Sequence, residues 1–236
     1  MNSYKLVSIK KFPVGNSGVT KKTAAEGALP GFTRSPQTAL KIINTDYYGF
    51  ELFEFEHEMI FKESGTAFGF IEDEPKMMEF FDYLKKFTIK LFLKRNENFA
   101  FLSAQSEVVR DLLKITAKNA DLGTEIEEVL LDMQHLRLHV DDYLGAWFRK
   151  VSTRVTSSAL FGSDLTNEPI YQQLLTDGAI LTSVFIPYKN MTIQLNDKAG
   201  ISSHQKVESI IEELSLIQSL KTEIIDNIID TTIKVV

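Results

Sequence analysis

Residues 53–62 read FEFEHEMIFK, with Phe53, Phe55, His57, Met59 and Phe61 alternating against Glu54, Glu56, Glu58 and Lys62. Successive side chains of a strand point to opposite faces, so this run buries one row and wets the other. A helix would scatter the same aromatic residues around its circumference. The chain must therefore contain antiparallel sheet with one covered face, and the sequence KESGT is expected to turn this strand into a second one, AFGFI.

The same period marks YKLVSIKKF as a strand, FAFLSA as a short buried strand, RVTSSALFG as a strand, and AILTSVFIPYKNMTIQLN as two strands joined at Lys189 and Asn190. Elsewhere the period lengthens. Met77, Phe80, Phe81, Leu84, Phe87 and Leu91 recur at helical spacing behind an acidic start with Pro75 early, which predicts a helix over 74–95. SEVVRDLLKITAKN is expected to be a helix capped by Ser103 or Ser106, and TNEPIYQQLLTDG a short one between Thr166 and Gly178. Thr124 with Glu127 forms a capping box that predicts a helix running towards Met133. From Ser202 onwards, Val207, Ile210, Leu214, Ile217, Lys221, Ile224 and Ile228 keep steps of three and four, as in a helix packed on its own core or a coiled-coil seam. The fold class expected is α+β: mainly antiparallel sheets, several packed helices and a long C-terminal amphipathic helix. A polar break at NADLG divides the chain into regions 1–122 and 123–236, with one continuous domain as the alternative.

With 236 residues the chain can bury its own core, and it has no cysteine, which removes disulfides, zinc–thiolate centres, iron–sulfur clusters and thiol nucleophiles. The chemistry left is that of His, carboxylate, Ser, Thr and Lys. Absence of disulfides and of a signal-like apolar start points to a cytoplasmic protein, and no apolar run approaches the roughly 20 residues of a membrane span.

Charge is unevenly spread. Up to residue 41, Lys5, Lys10, Lys11, Lys21, Lys22, Arg34 and Lys41 face the single acid Glu26, a balance of +6 within a chain of net charge −6. Residues 15–38, rich in Gly, Ser, Thr and Pro, read as a long loop. A basic arm on an acidic body is a candidate surface for phosphates, with Lys10, Lys11, Lys21, Lys22 and Arg34 as the binding residues, joined by Lys85, Lys86, Lys90, Lys94 and Arg95. The alternative is that the arm lies against the acidic body of its own chain.

The second chemical candidate is HLRLHVDD. On a helix, His135, His139 and Asp142 would share one side, as metal ligands do, but Arg137 would then sit on the apolar stripe. A strand resolves this by putting Leu136, Leu138 and Val140 on one face and His135, Arg137 and His139 on the other. His57 reads as a core histidine with a satisfied ring nitrogen. Ser203 and Lys206 have a Ser-x-x-Lys spacing without the companion motifs of penicillin-recognising enzymes, and Ser202 with Gln205 reads as a capping box. GNSGVTKK resembles a phosphate-binding loop but has Thr20 where a glycine belongs and Lys22 in place of the magnesium-binding hydroxyl. Glu74 and Lys76 have a nuclease-like Glu-x-Lys spacing spoiled by Pro75, and Glu54, Glu56 and Glu58 could gather a divalent ion or a basic partner.

These features favour a non-enzymatic binding or accessory module that engages nucleic acid or an acidic protein through its basic N-terminal arm and needs no cofactor. The composition suggests a prokaryotic or phage context, including antiviral defence. A metal-dependent hydrolase or nuclease built on His135, His139 and Asp142, and a homo-oligomer joined through the C-terminal helix, are the competing expectations.

Overall fold

Alternating hydrophobicity governs more of this chain than its helical cues suggest. The computed structural model describes residues 2–14, 20–24, 35–71 and 74–230. Its strands are β1 (Tyr4–Lys11), β2 (Thr20–Ala24), β3 (Gln37–Tyr47), β4 (Phe50–Ile71), β5 (Glu74–Lys94), β6 (Phe99–Ser103), β7 (Lys118–Asn119) and β8 (Thr124–Glu128). They continue with β9 (Gly145–Arg149), β10 (Ser157–Phe161), β11 (Ile180–Tyr188), β12 (Met191–Asn196) and β13 (Gly200–Ser202). The helices are α1 (Ser106–Thr116), α2 (Pro169–Thr176) and α3 (Ile210–Glu223). No helix among the described residues is long and apolar enough to cross a membrane.

With 48% of residues in strands and 23% in helices, the protein is mainly antiparallel β rather than a balanced α+β fold. The strands follow the order β10-β9-β11-β12-β13-β1-β6-β5-β4-β3-β2, with β8 bridging β1 and β7. β1 pairs with β6 along one edge and with β13 and then β8 along the other, so it joins segments from both sides of position 122.

Two apolar clusters occupy opposite faces of the sheet, as alternation requires. Phe99 and Phe101 of β6 enter one cluster and Ala100 and Leu102 the other; β4 divides likewise between Phe50 with Leu52 and Phe53 with Phe55. α1 covers the second cluster with Val108, Val109, Leu112 and Leu113. α3 covers the first with Leu214, Ile217 and Leu220.

Several sequence expectations are corrected here. Residues 74–94 form β5, not a helix: Ile89, Leu91 and Leu93 are all buried, and the strand pairs with β4 along nearly its whole length and with β6 from Lys90. Phe87 and Leu91, four residues apart, share a face in either element, and the neighbouring strand decides. Thr124–Glu128 likewise forms β8, with Thr124 and Ile126 buried and Glu125 and Glu127 facing out, because β1 supplies a ladder that an isolated helix could not match. KESGT is no turn; β4 passes through it with a register shift between Lys62 and Gly65, a bulge in one long strand. α3 starts at Ile210, where the Ser209 hydroxyl accepts the Glu212 N–H at 3.2 Å, so Ser202, Ser203, His204 and Lys206 lie outside it. Its 14 residues spend the predicted seam on the chain's own core.

β3 reaches β4 only as far as His57, and β6 reaches β5 only from Lys90. Among the described residues, the distal parts of β4 and β5 therefore pair with each other alone and project as a two-stranded ribbon.

Candidate functional site

The described basic residues of the first forty positions lie on strands, and two of them, Lys5 and Lys10, meet acids. Lys5 Nζ lies 2.7 Å from Glu128 Oε1 and Lys10 Nζ 3.4 Å from Glu127 Oε2, because β1 and β8 run antiparallel and bring these residues to diagonal positions of the ladder. Lys11 and Lys118 both stand opposite Glu125 in the ladders of β1 and β7 with β8. Lys21 reaches the same place from β2: its ammonium lies against Gly123, where an added Cβ would meet it at 2.9 Å, while Thr23 Oγ1 donates to Asp121 Oδ2 at 3.2 Å. The structure thus gathers Lys10, Lys11 and Lys21, with Lys118, around the turn before β8. Lys22 points to the other face, in register with Ala39, and is exposed. Arg34 lies outside the described residues.

The second lysine set is split between two faces: β5 puts Lys86, Lys90 and Lys94 on one and Lys85 on the other, and Arg95 lies in the 3-10 turn that follows. Lys86 joins Lys41 on Glu56, Lys85 stands over the Phe61 and Phe87 rings, Lys94 stands 4.7 Å from the Phe50 ring centre, and Arg95 is bidentate to Glu51 at 2.6 and 2.8 Å. These contacts also answer the acidic row. Hydrogen bonds from the Lys41 ammonium, then from Lys86, hold the Glu56 carboxyl down to about 2. Glu51 and Glu56 of β4 are thus paired with cations from β3, β5 and the turn after β5.

HLRLHVDD is neither helix nor strand but a 3-10 turn over His135–Leu138. Asp132 starts it, accepting the N–H groups of Gln134 and His135 and lying 2.7 Å from His135 Nδ1. Leu136 and Val140 are buried, Leu138 is 68% exposed, and Arg137 faces solvent. Asp142 turns away to accept the backbone N–H groups of Asp164 and Leu165 at 2.6 and 2.9 Å. His135, His139 and Asp142 are therefore not brought together. Among the described residues no group of three His, Asp or Glu side chains is placed to hold a metal.

His57 is the core histidine expected. Its Nδ1 lies 2.9 Å from Thr38 Oγ1 and its Nε2 3.2 Å from Asp111 Oδ2, joining β3, β4 and α1. Burial holds its pKa below the usual histidine value, against the pull of Asp111. The line Thr–His–Asp has the order of a proton relay, but Thr38 and His57 are 1% and 0% exposed, so no substrate can reach the hydroxyl.

A cleft of about 610 Å³ lies elsewhere, between the start of β1, the first turns of α1 and strands β11–β13. Its floor is a polar row across three strands: Ser183 Oγ donates to the Leu195 carbonyl at 3.1 Å and accepts from Gln194 Nε2 at 3.2 Å, and Ser202 Oγ donates to Gln194 Oε1 at 3.3 Å. Asn196 Oδ1 accepts the N–H groups of Lys198 and Gly200. Lys5–Glu128 and Arg149–Asp197 pair on the walls, while Arg110, Glu107 and Lys198 complete the rim. Sequence reading missed this site because its members are spread from Lys5 to Ser202. The available signal was Ser183 and Gln194, polar residues inside otherwise apolar strands. No protein-family model matches the chain, and no curated protein is significantly similar to it.

Proposed function

We propose that this chain is a binding module that engages nucleic acid by contact with phosphates at the lysine-bordered end of the sheet. One observation carries the reading. The fold collects Lys10, Lys11, Lys21 and Lys118 from three strands around one turn, and Lys11, Lys21 and Lys118 have no carboxylate within 4 Å among the described residues. Ammonium groups left exposed and unpaired release counterions when they meet phosphates, and the resulting affinity falls with salt.

A labelled single-stranded oligonucleotide tests it. With three to four phosphate contacts, the logarithm of affinity should fall against the logarithm of salt with a slope of about −2 to −3, and replacing Lys11, Lys21 and Lys118 by alanine should remove most of that slope. Binding that ignores salt, or that survives the triple replacement unchanged, ends this reading.

A second reading, a self-associating subunit, is favoured by the projecting ribbon. A two-stranded ribbon is marginal alone. This one carries a Phe61–Tyr83 stack at 5.6 Å, with Phe87 beside it, past the last pairing with β3. A second copy laid two-fold along the ribbon would cover those rings. Light scattering should then give twice the chain mass, reduced to one by Phe61→Ser with Tyr83→Ser; a monomer at every concentration would refute it.

A further inference from the structure

We infer that the cleft floored by Ser183, Gln194 and Ser202 is a binding site for a small, non-aromatic polar molecule bearing one oxyanion group, a phosphate or a carboxylate. It is a different surface from the lysine-bordered sheet end and stands whether or not nucleic acid binds there.

Charge accounting comes first. Lys5, only 13% exposed in its side chain, is committed to Glu128. Glu107 sits in the first turn of α1, where a carboxylate answers the positive end of the helix dipole. Arg110, one turn further along α1, and Lys198, on the turn between β12 and β13, have no carboxylate within 4 Å among the described residues. These two cations come from opposite walls and look into the same space. Arg149 adds a third guanidinium or ammonium group that can be recruited: its pair with Asp197 is at the surface, the arginine side chain being 57% exposed, and such pairs are held weakly. A site with two spare cations and one exchangeable arginine selects an anion, and the planar fork of arginine suits carboxylate and phosphate alike.

The floor then limits the rest of the molecule. Hydroxyl and amide groups of Ser183, Gln194 and Ser202 are already ordered by bonds across β11, β12 and β13, so they present fixed donors and acceptors without further loss of freedom. The one aromatic residue of the lining, Tyr4, directs its hydroxyl to Glu213 at 2.5 Å, away from the cleft. Nothing offers a ring for stacking, so a nucleobase gains little, whereas a hydroxylated carrier gains hydrogen bonds. The volume, about 610 Å³, lies within the range of small-ligand sites.

The test is calorimetric titration of the full chain with inorganic phosphate and, separately, with acetate, at constant ionic strength set by chloride. Saturable 1:1 binding of either anion is expected, with affinity weakened about tenfold by Arg110→Ala and again by Lys198→Ala. Arg110 is exposed on α1, so its removal leaves the core intact, which unchanged circular dichroism will verify. Phosphate alone binding identifies a phosphate ester as the ligand; both binding extends the class to carboxylates. A Lys11→Ala, Lys21→Ala, Lys118→Ala chain should keep the wild-type response, separating this site from the sheet end. No saturable heat with either anion, or equal affinity in Arg110→Ala and wild type, overturns the inference.

Discussion

The hydroxyl of Tyr4, in the first strand, donates to Glu213 Oε2 in the last helix at 2.5 Å, across 209 positions of sequence. Asn2 adds its backbone N–H and side-chain amide to the same carboxylate, each at 2.9 Å. Glu213 is 5% exposed, so this charge is buried and satisfied by three donors. It ties the chain start and α3 together across the larger apolar cluster.

Glu213→Leu should therefore destabilise the protein despite adding apolar volume, because Tyr4 loses its acceptor. We expect a loss of about 2 kcal/mol, seen as a fall in melting temperature of about 4–8 °C, with Glu213→Gln losing less. A melting curve identical to wild type would show that the clip contributes nothing.

Alkaline pH attacks the same cluster. Burial, with help from Glu213, pushes the Tyr4 phenol far above its ordinary value of 10.0. Burial does the same for Tyr143 and for Tyr188, which also donates to Glu223 at 2.7 Å, and raises Tyr171 to about 12. Groups whose folded pKa is raised stabilise fully below the unfolded value and lose that contribution as pH climbs past it. Stability should fall steadily above pH 10, and tyrosinate absorbance should rise together with loss of ellipticity rather than before it.

His57 works on the acid side. Its folded pKa is lowered by burial from 6.5, against Asp111 and Glu58, so the unfolded chain takes up a proton that the folded one refuses. Stability from this group is present above pH 6.5 and declines as pH falls from there towards its folded pKa. His57→Gln should flatten the denaturation midpoint over that interval; an unchanged pH profile would show that the ring does not hold β3, β4 and α1 together.

Gly200 is required by close approach. A Cβ there would sit nearer than 3.0 Å to the side chain of Asn196, which is itself held by the N–H groups of Lys198 and Gly200. Gly200→Ala should cost about 1–3 kcal/mol in chemical denaturation. Adding Asn196→Ala removes the clash, so the double variant should be more stable than the sum of the two single losses predicts.

Local sequence determined what strict alternation alone can decide: β1, β6, the β11–β12 hairpin, and a buried, partnered His57 within β4. It also marked α1 and α2, whose apolar positions recur only at helical steps. Tertiary structure decided the rest. Phe87 and Leu91, four residues apart, share a face in either period, and only the ladder offered by β4 makes their segment a strand. His135, His139 and Asp142 are neighbours in sequence, yet Asp132 and the Asp164 turn claim two of them for separate backbone tasks. Lys5 and Lys10 met their acids through strand register, which no local pattern reports. The polar cleft, assembled from residues up to two hundred positions apart, depends on the same cause: periodicity sets which face a side chain takes, while long-range pairing sets what it faces.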